Sequence, residues 1–424
     1  MIKMLQGVKE VSVIGLGYVG LPTAAIIASK GLIVKGIDIN EKIINTINSG
    51  KIHIIEPDLE AVVRVAVADK YLSASTQVQS ADVFIITVPT PFKEDYQPDL
   101  SYVKAAAESI APVLKKDNLI ILESTSPVGA TEQLTEWLIK ARPDLSFPSK
   151  TKLEADIAIC YCPERILPGR VLTELVENDR IIGGINSRCA EKAKHFYQQF
   201  VRGNCVLTDA RTAELAKLTE NAFRDVNVAF ANELSLICDE HHINVWELIN
   251  LVNHHPRVNV LKPGAGVGGH CIAVDPWFIV SASKHAKLIK TAREVNNYKP
   301  KYIVQKVFEA IKNPTNKIAC LGLAYKPNID DLRESPAVEI VHELATKLAN
   351  TIVVIEPNVD SLPSELKNHK NIVFNNAIQE VLKEADVIVI LVAHRDFIGL
   401  EPFLKNSQKV IDICGIINRA VKKD

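Results

Sequence analysis

"VSVIGLGYVGLPTAAIIASKGLIVKGIDIN", residues 11–40, decides how this chain folds. A β-branched apolar run leads into a glycine turn, an Ala/Ile-rich helical segment follows, and a second apolar run closes on Asp38. That order is a βαβ unit. Gly15-Leu16-Gly17-Tyr18-Val19-Gly20 lies between the strand and the helix. In that context GxGxxG has a mechanism: backbone N–H groups and the helix N-terminus receive a pyrophosphate. Asp38 comes 18 residues after Gly20, at the end of the second strand. A carboxylate there accepts the hydroxyls of the adenosine ribose and repels a 2′-phosphate. The expected cofactor is therefore NAD, not NADP, held by Gly15, Gly17, Tyr18, Val19, Gly20 and Asp38. "VPTPF" (88–92) and "ESTSPVG" (123–129) end later strand candidates. They are expected to line the same crevice through Pro89, Thr90 and Thr125, with Thr125 nearest the reacting end.

The chain has 424 residues, which calls for two or three domains. It is 47% hydrophobic and 23% charged, an ordinary globular composition. A formal charge of −1 gives no whole-molecule reason to bind nucleic acid or an acidic membrane surface. No apolar run reaches the roughly 18–20 residues of a membrane span, and the N-terminal residues lead straight into a strand pattern, so a cytoplasmic location is expected. Eight cysteines, none in a CxxC pair, fit scattered reduced thiols and no metal site. Cys160 and Cys162 are expected to be structural, on opposite faces of a strand end.

Further strand candidates are "ADVFIITVPTP" (81–91), "NLIILESTSPVG" (118–129), "ADIAICYCPER" (155–165) and "RIIGGI" (180–185), with helical segments between several of them. Such alternation predicts a parallel sheet covered by helices on both faces. From Thr208 to about Glu240 runs one helical stretch without proline or glycine. It has the length to link two domains and to pair with a second subunit. After Lys317 the α/β pattern returns in "KIACLGLAYKP", "ANTIVVIEPNV", "ADVIVILVAH" and "KVIDICG". The expected fold class is α/β: two Rossmann-like doubly wound domains joined by a long central helix and a helical dimerisation domain. The expected boundaries are an NAD-binding domain over 1–205, a central domain over 206–305, and a second nucleotide-binding domain over 306–424.

"PGAGVGGHCIAVDP" (263–276) crowds four glycines ahead of Cys271. Glycines let a backbone approach a ligand closely, so the stretch is suited to deliver a thiol to a bound substrate. Taken alone, a cysteine is more often an inert buried thiol. Lys217 and Asn221, four residues apart in "AKLTENAFRDV", share a helix face. They are either solvated surface residues or a cation and an amide donor for an oxyanion. Pro276 disfavours a helical Asp275, so this acid is open to two roles, helix N-cap or proton transfer.

"GLGYVGLP", "VPTPF", "ESTSPVG", "CPERILPG", "KLTENAFRDVNVAFANELS", "GVGGHC" and "GLAYKPNIDDLRESP" occur in this order over nearly the whole chain. With them the sequence resembles the UDP-glucose/GDP-mannose dehydrogenase family of nucleotide-sugar 6-dehydrogenases. In the loop "PERILPG", Arg165 and Pro168 stand where the glucose enzymes typically carry a phenylalanine and an acidic residue. This loop and "HPRVNVLKPGAGVGGHCIAVDPWF" are closest to the branch acting on UDP-N-acetylmannosamine. The resemblance implies a four-electron oxidation of a sugar C6 alcohol to a uronate, with Cys271 as nucleophile. It implies oxyanion stabilisation by Lys217 and Asn221, water placement or proton transfer by Glu164 and Thr125, and an acid role for Asp275. Substrate contacts are implied for Glu164, Arg165, Lys217, Asn221, Gly268 and Lys326, with Arg257 crossing a homodimer and Arg333 reaching toward the cofactor. The partner implied is a small UDP-amino sugar. UDP-N-acetylglucosamine, UDP-glucose and a two-electron hydroxyacid oxidation remain the alternatives.

Overall fold

The computed structural model describes residues 8–93, 96–166, 169–269 and 271–417; Pro168 of the distinctive loop lies outside them. The chain divides into two compact units, Met1–Glu220 and Asn221–Asp424. The central helix, Ala210–Glu240, runs through that boundary.

The first unit is an eight-stranded sheet of β1 (Glu10–Ile14), β2 (Ile33–Ile37), β3 (Leu72–Ser75), β4 (Val83–Ile86), β5 (Leu119–Leu122), β6 (Ala158–Tyr161), β7 (Arg180–Gly184) and β8 (Cys205–Asp209). Its order is β3-β2-β1-β4-β5-β6-β7-β8. Alternate residues sort to the two faces, as strand period dictates. Val83, Ile85, Leu119 and Ile121 enter one core layer, and Phe84, Ile86, Ile120 and Leu122 enter the other. Each such side chain, fully buried, contributes about 1.5–3 kcal/mol.

The expected all-parallel sheet needs a correction, because β7 runs antiparallel to β6. Among the described residues, the segment between them contains one short helix, Val171–Glu177. A parallel return needs a crossover that carries the chain back along the whole strand. Here the chain stays at the carboxyl end of the sheet and turns straight into β7, which leaves the loop after Cys162 beside the crevice. A second correction concerns Cys160 and Cys162, which enter the same core layer and not opposite ones. Residues two apart in an extended chain share a face.

The second unit holds a five-stranded, all-parallel sheet of β9 (Ile318–Leu321), β10 (Ile352–Ile355), β11 (Ile372–Phe374), β12 (Val387–Ile390) and β13 (Lys409–Asp412). Its order is β11-β10-β9-β12-β13. In each unit the strand order reverses at the first strand, β1 or β9, and ligand crevices form at the carboxyl ends beside such a reversal. No described helix is long and apolar enough to cross a membrane.

Candidate active site

In the first unit, Gly15 leaves β1 with φ +94°, and a Cβ on it would lie 2.9 Å from the Thr87 carbonyl oxygen. A Cβ on Gly20 would lie 1.8 Å from the Gly15 carbonyl oxygen, so the helix Gly20–Ser29 can start this close only from glycine. A Cβ on Gly17 would meet nothing within 4 Å, which leaves its backbone open to a ligand. No side chain caps the helix start. The Leu16 amide donates to Asp38 Oδ2 at 3.0 Å and the Asn40 amide to Oδ1 at 2.9 Å, fixing the carboxylate at the end of β2. Tyr18 is exposed and Val19 precedes the helix. An open glycine path, an uncapped helix start and a fixed acid are what a dinucleotide requires, and these residues fit NAD.

The loops after β4 and β5 are tied together. The Thr90 hydroxyl donates to the Thr125 carbonyl at 2.5 Å, and the Ser124 hydroxyl to the Val88 carbonyl at 2.7 Å. Pro89 and Thr125 therefore lie in one rigid rim beside β1. Behind that rim Glu214, on the central helix, accepts from the Gly129 amide at 2.6 Å and from the Thr131 amide and hydroxyl at 2.8 and 2.6 Å. An acid at the start of the helix Ala130–Ala141 satisfies amides that the helix leaves unpaired.

One turn further along, Lys217 is buried and its Nζ donates to the Glu164 carbonyl at 2.7 Å. A solvated surface role is thereby excluded. Glu164 as a residue is only half-buried, yet its carboxyl group is enclosed, and those surroundings set its acidity. Burial pushes the carboxyl up to about 7 against the opposing pull of Lys217, Arg180 and the Ile166 amide. Arg165 pairs with Glu220 at 2.6 Å and donates to the Asp179 carbonyl at 3.2 Å. Glu56, from a distant loop, takes the Gly169 and Val171 amides at 2.8 Å each, so the loop after β6 is held at both ends.

Cys271, in the second unit, is exposed where the chain's other seven cysteines are buried or half-buried. Burial pushes the Cys162 and Cys320 thiols up to about 12, so they stay protonated. Asp275 is buried, accepts from Asn221 Nδ2 at 2.5 Å, and donates its own amide to the Cys271 carbonyl at 2.8 Å. The N-cap of the helix Asp275–Ala282 is Val274, not Asp275. The capping role is thus overturned: Asp275 is the first helical residue, and its bonds to Asn221 and Cys271 outweigh the steric penalty that Pro276 imposes on it.

Three of the glycines ahead of Cys271, Gly266, Gly268 and Gly269, are demanded by close neighbours in the same unit. A Cβ on Gly268 would lie 2.4 Å from the Glu334 carbonyl oxygen, and one on Gly269 would lie 3.0 Å from the Tyr325 ring. The Gly269 amide donates to the Arg333 carbonyl at 3.3 Å, while the Arg333 guanidinium pairs with Asp331 at 2.6 Å. Lys326 and Arg257 are both exposed. Glu356 follows β10 as Asp38 follows β2, but its carboxylate is wholly engaged. It takes the Leu323 and Ala324 amides at 2.7 and 3.0 Å, Asn358, and His394 at 3.0 Å. Burial would raise this acid, but His394 and the amides prevail and hold it at about 2. The acid at the corresponding place in the second unit is thus a structural tie.

Several residues of this architecture escaped the sequence. Glu123, next to Ser124, is buried with Arg180 at 3.6 Å and the Tyr197 hydroxyl donating at 2.6 Å. Burial raises its pKa despite both partners. Glu214 was within reach, because it lies three residues before Lys217 on the same helix face. Glu56, Arg180 and Tyr197 carry no local signal.

Three comparisons bear on these arrangements. Residues 9–201 match the NAD binding domain of the UDP-glucose/GDP-mannose dehydrogenase family, 211–298 its central domain and 319–419 its UDP binding domain. A UDP-N-acetyl-D-mannosamine dehydrogenase of Campylobacter jejuni is 58% identical over 408 residues, covering 96% of this chain and 99% of that protein. An NDP-N-acetyl-D-galactosaminuronic acid dehydrogenase of Ralstonia nicotianae is 57% identical over 412 residues, covering 96% of each. The solved structure of a UDP-D-ManNAc dehydrogenase from Pyrococcus horikoshii superposes with a TM-score of 0.86 at 37% identity, covering 97% of this chain and 96% of that one.

Proposed function

The chain belongs to the UDP-glucose/GDP-mannose dehydrogenase family, an NAD-dependent group of nucleotide-sugar oxidoreductases, and from that premise we propose that it oxidises C6 of UDP-N-acetyl-D-mannosamine to the uronate. The observation that carries this is the exposed Cys271 thiol at the end of a tight glycine loop, bonded through its backbone to Asp275 and thence to Asn221. Bound NAD+ supplies the hydride acceptor for each of two oxidations.

An aldehyde yields no second hydride readily until a nucleophile makes its carbon tetrahedral. The Cys271 sulfur forms a bond to that carbon, and the carbonyl oxygen takes a proton or is held as an oxyanion. Lys217 and Asn221 stabilise that oxygen. Loss of the second hydride leaves a thioester on Cys271. Water placed by Thr125 and deprotonated by Glu164 cleaves the C–S bond, releasing the uronate and the thiol. Asp275 orients Asn221 and exchanges protons with the thiol. Arg165, Gly268 and Lys326 face the sugar nucleotide, Arg257 serves the site of a neighbouring subunit, and Arg333 the cofactor.

The 57% identity to a protein named for N-acetyl-D-galactosaminuronic acid favours a second reading, an N-acetylated sugar that differs from mannosamine at C2 and C4. Initial rates with UDP-N-acetylmannosamine, UDP-N-acetylgalactosamine, UDP-N-acetylglucosamine and UDP-glucose test the choice. The mannosamine nucleotide is expected to give the highest kcat/KM, and a higher value for any other reassigns the substrate.

Glu164 gives the reaction a pH signature. With its carboxyl at about 7, it is neutral below that pH and a base above it. When thioester hydrolysis limits turnover, kcat is expected to rise through pH 7, and Glu164→Gln to remove that rise while acyl-enzyme accumulates. The stability slope has the opposite sense. The folded protein holds this proton more tightly than the unfolded chain, so stability falls as pH rises from the ordinary carboxylate range to about 7. Glu164→Gln flattens that part of the melting profile; an unchanged profile and an unchanged rate limb together refute the assignment.

The protein acts as a homodimer in this proposal. Phe223, Phe230 and Ile237 are 69%, 52% and 44% exposed at seven-residue spacing on the central helix. That is the stripe a second helix of the same kind covers. Sedimentation is expected to give twice the 46.7 kDa chain mass, and Phe230→Glu to lower it toward one; a monomeric wild type contradicts this.

A further inference from the structure

The central helix and the helix Lys287–Ala310 meet across buried polar side chains within the second unit. Arg293 pairs with Asp225 at 2.7 Å, and both are almost wholly buried. Asn296 Nδ2 donates to Asp225 Oδ1 at 2.8 Å and to the Asp225 carbonyl at 3.1 Å. Asn232 Nδ2 donates to Asn296 Oδ1 at 2.9 Å. The Gly264 amide donates to Asn232 Oδ1 at 2.9 Å.

This chain has one direction. An ionised Asp225 can only accept, so Asn296 must present its NH2 group to it. The Asn296 oxygen is then left facing Asn232, which must answer with its own NH2 group. The Asn232 oxygen is left facing Gly264, the first glycine of the stretch that ends at Cys271. A fixed charge thus sets the orientation of two side-chain amides and, through them, one backbone amide. Buried amides paired through both oxygen and nitrogen in this way are rigid, since turning either one leaves two groups unpaired.

Gly266, Gly268 and Gly269 have little freedom to compensate. Gly266 has φ +143°, and a Cβ there would lie 3.1 Å from Pro336 and 3.2 Å from the Asn296 carbonyl oxygen. Gly268 and Gly269 press on Glu334 and Tyr325.

We propose that Asn232 is a positioning residue for the second oxidation, holding the entry of the glycine loop so that Cys271 meets the aldehyde carbon. This rests on Cys271 being the nucleophile. The first hydride transfer needs no cysteine, whereas capture of the aldehyde does, so loosening the loop should separate the two steps. A displacement of about 1 Å can slow an aligned reaction by about 10²-fold.

The test is Asn232→Leu, which keeps the branching at Cγ but is unable to accept from Gly264. Three quantities are followed: NADH formed per sugar consumed, free aldehyde trapped as its oxime, and the KM for NAD. The expected result is a 10- to 100-fold fall in uronate formation by the scale above, with NADH per sugar falling from two toward one. Oxime should appear and the KM for NAD should stay unchanged. A variant that makes uronate at the wild-type rate and ratio overturns the proposal. A general loss of structure would raise the KM for NAD and slow both oxidations together, which also counts against it. Should Asn232→Leu not fold, hydrogen exchange on the wild-type protein decides: slow exchange at the Gly264 amide is expected, and exchange at the rate of an open loop overturns the proposal. A wild-type ratio of one would instead refute the thioester scheme and leave the Asn232 geometry untouched.

Discussion

Cys271→Ala is expected to fold, bind NAD with wild-type affinity and form no measurable uronate. The side chain is exposed, so its removal leaves no buried cavity. The residues that fit the dinucleotide, Gly15 to Gly20 and Asp38, belong to the other compact unit. Loss of a covalent nucleophile lowers turnover by roughly 10⁴-fold or more where no other group can replace it. The remaining thiols cannot replace it, because the other seven are buried or half-buried. Oxidation is expected to halt at the aldehyde, with at most one NADH per enzyme-bound sugar. The measurement is uronate formation by mass spectrometry beside calorimetric titration with NAD. Uronate at even one-tenth of the wild-type rate would remove Cys271 from the mechanism.

Lys217→Met is the second large effect. Methionine keeps much of the lysine's length and apolar stem, so the loss is mainly that of the cation and its bond to the Glu164 carbonyl. A donor aimed at an oxyanion is worth ~2.7–4 kcal/mol in a transition state, a fall in kcat of about 10²–10³-fold. Lys217 also opposes the upward push that burial exerts on the Glu164 carboxyl. Its removal should therefore move the rising limb of the pH profile above 7, which a merely structural lysine would not do. A pH–rate profile of the variant measures both effects, and an unshifted limb with an unchanged kcat would place Lys217 outside the site.

The sequence made some features visible and hid others, for physical reasons. Strand and helix periods are local, so the βαβ unit at residues 11–40 and the long helix were legible. The direction of β7 was not, because it depends on where the chain between β6 and β7 travels and not on the residues of β7 themselves. Asp275 stays open between cap and proton transfer in the sequence because the pre-proline rule is local, whereas Asn221, 54 residues away, provides the competing bond. The same distance effect hid the partners of the buried acids. Glu123 meets Arg180 and Tyr197, and Glu214 meets Gly129 and Thr131, through folding alone. Asn232 lay inside a quoted motif, yet its role appears only when Asn296 and Gly264 are brought to its two ends.

In this mechanism one thiol, that of Cys271, converts a two-electron dehydrogenase into a four-electron one. The most direct measurement of this is the amount of NADH formed when a limiting quantity of UDP-N-acetylmannosamine is driven to completion. Two NADH per sugar, with the uronate as sole product, is the predicted result; one NADH per sugar with a stable carbonyl product would contradict it.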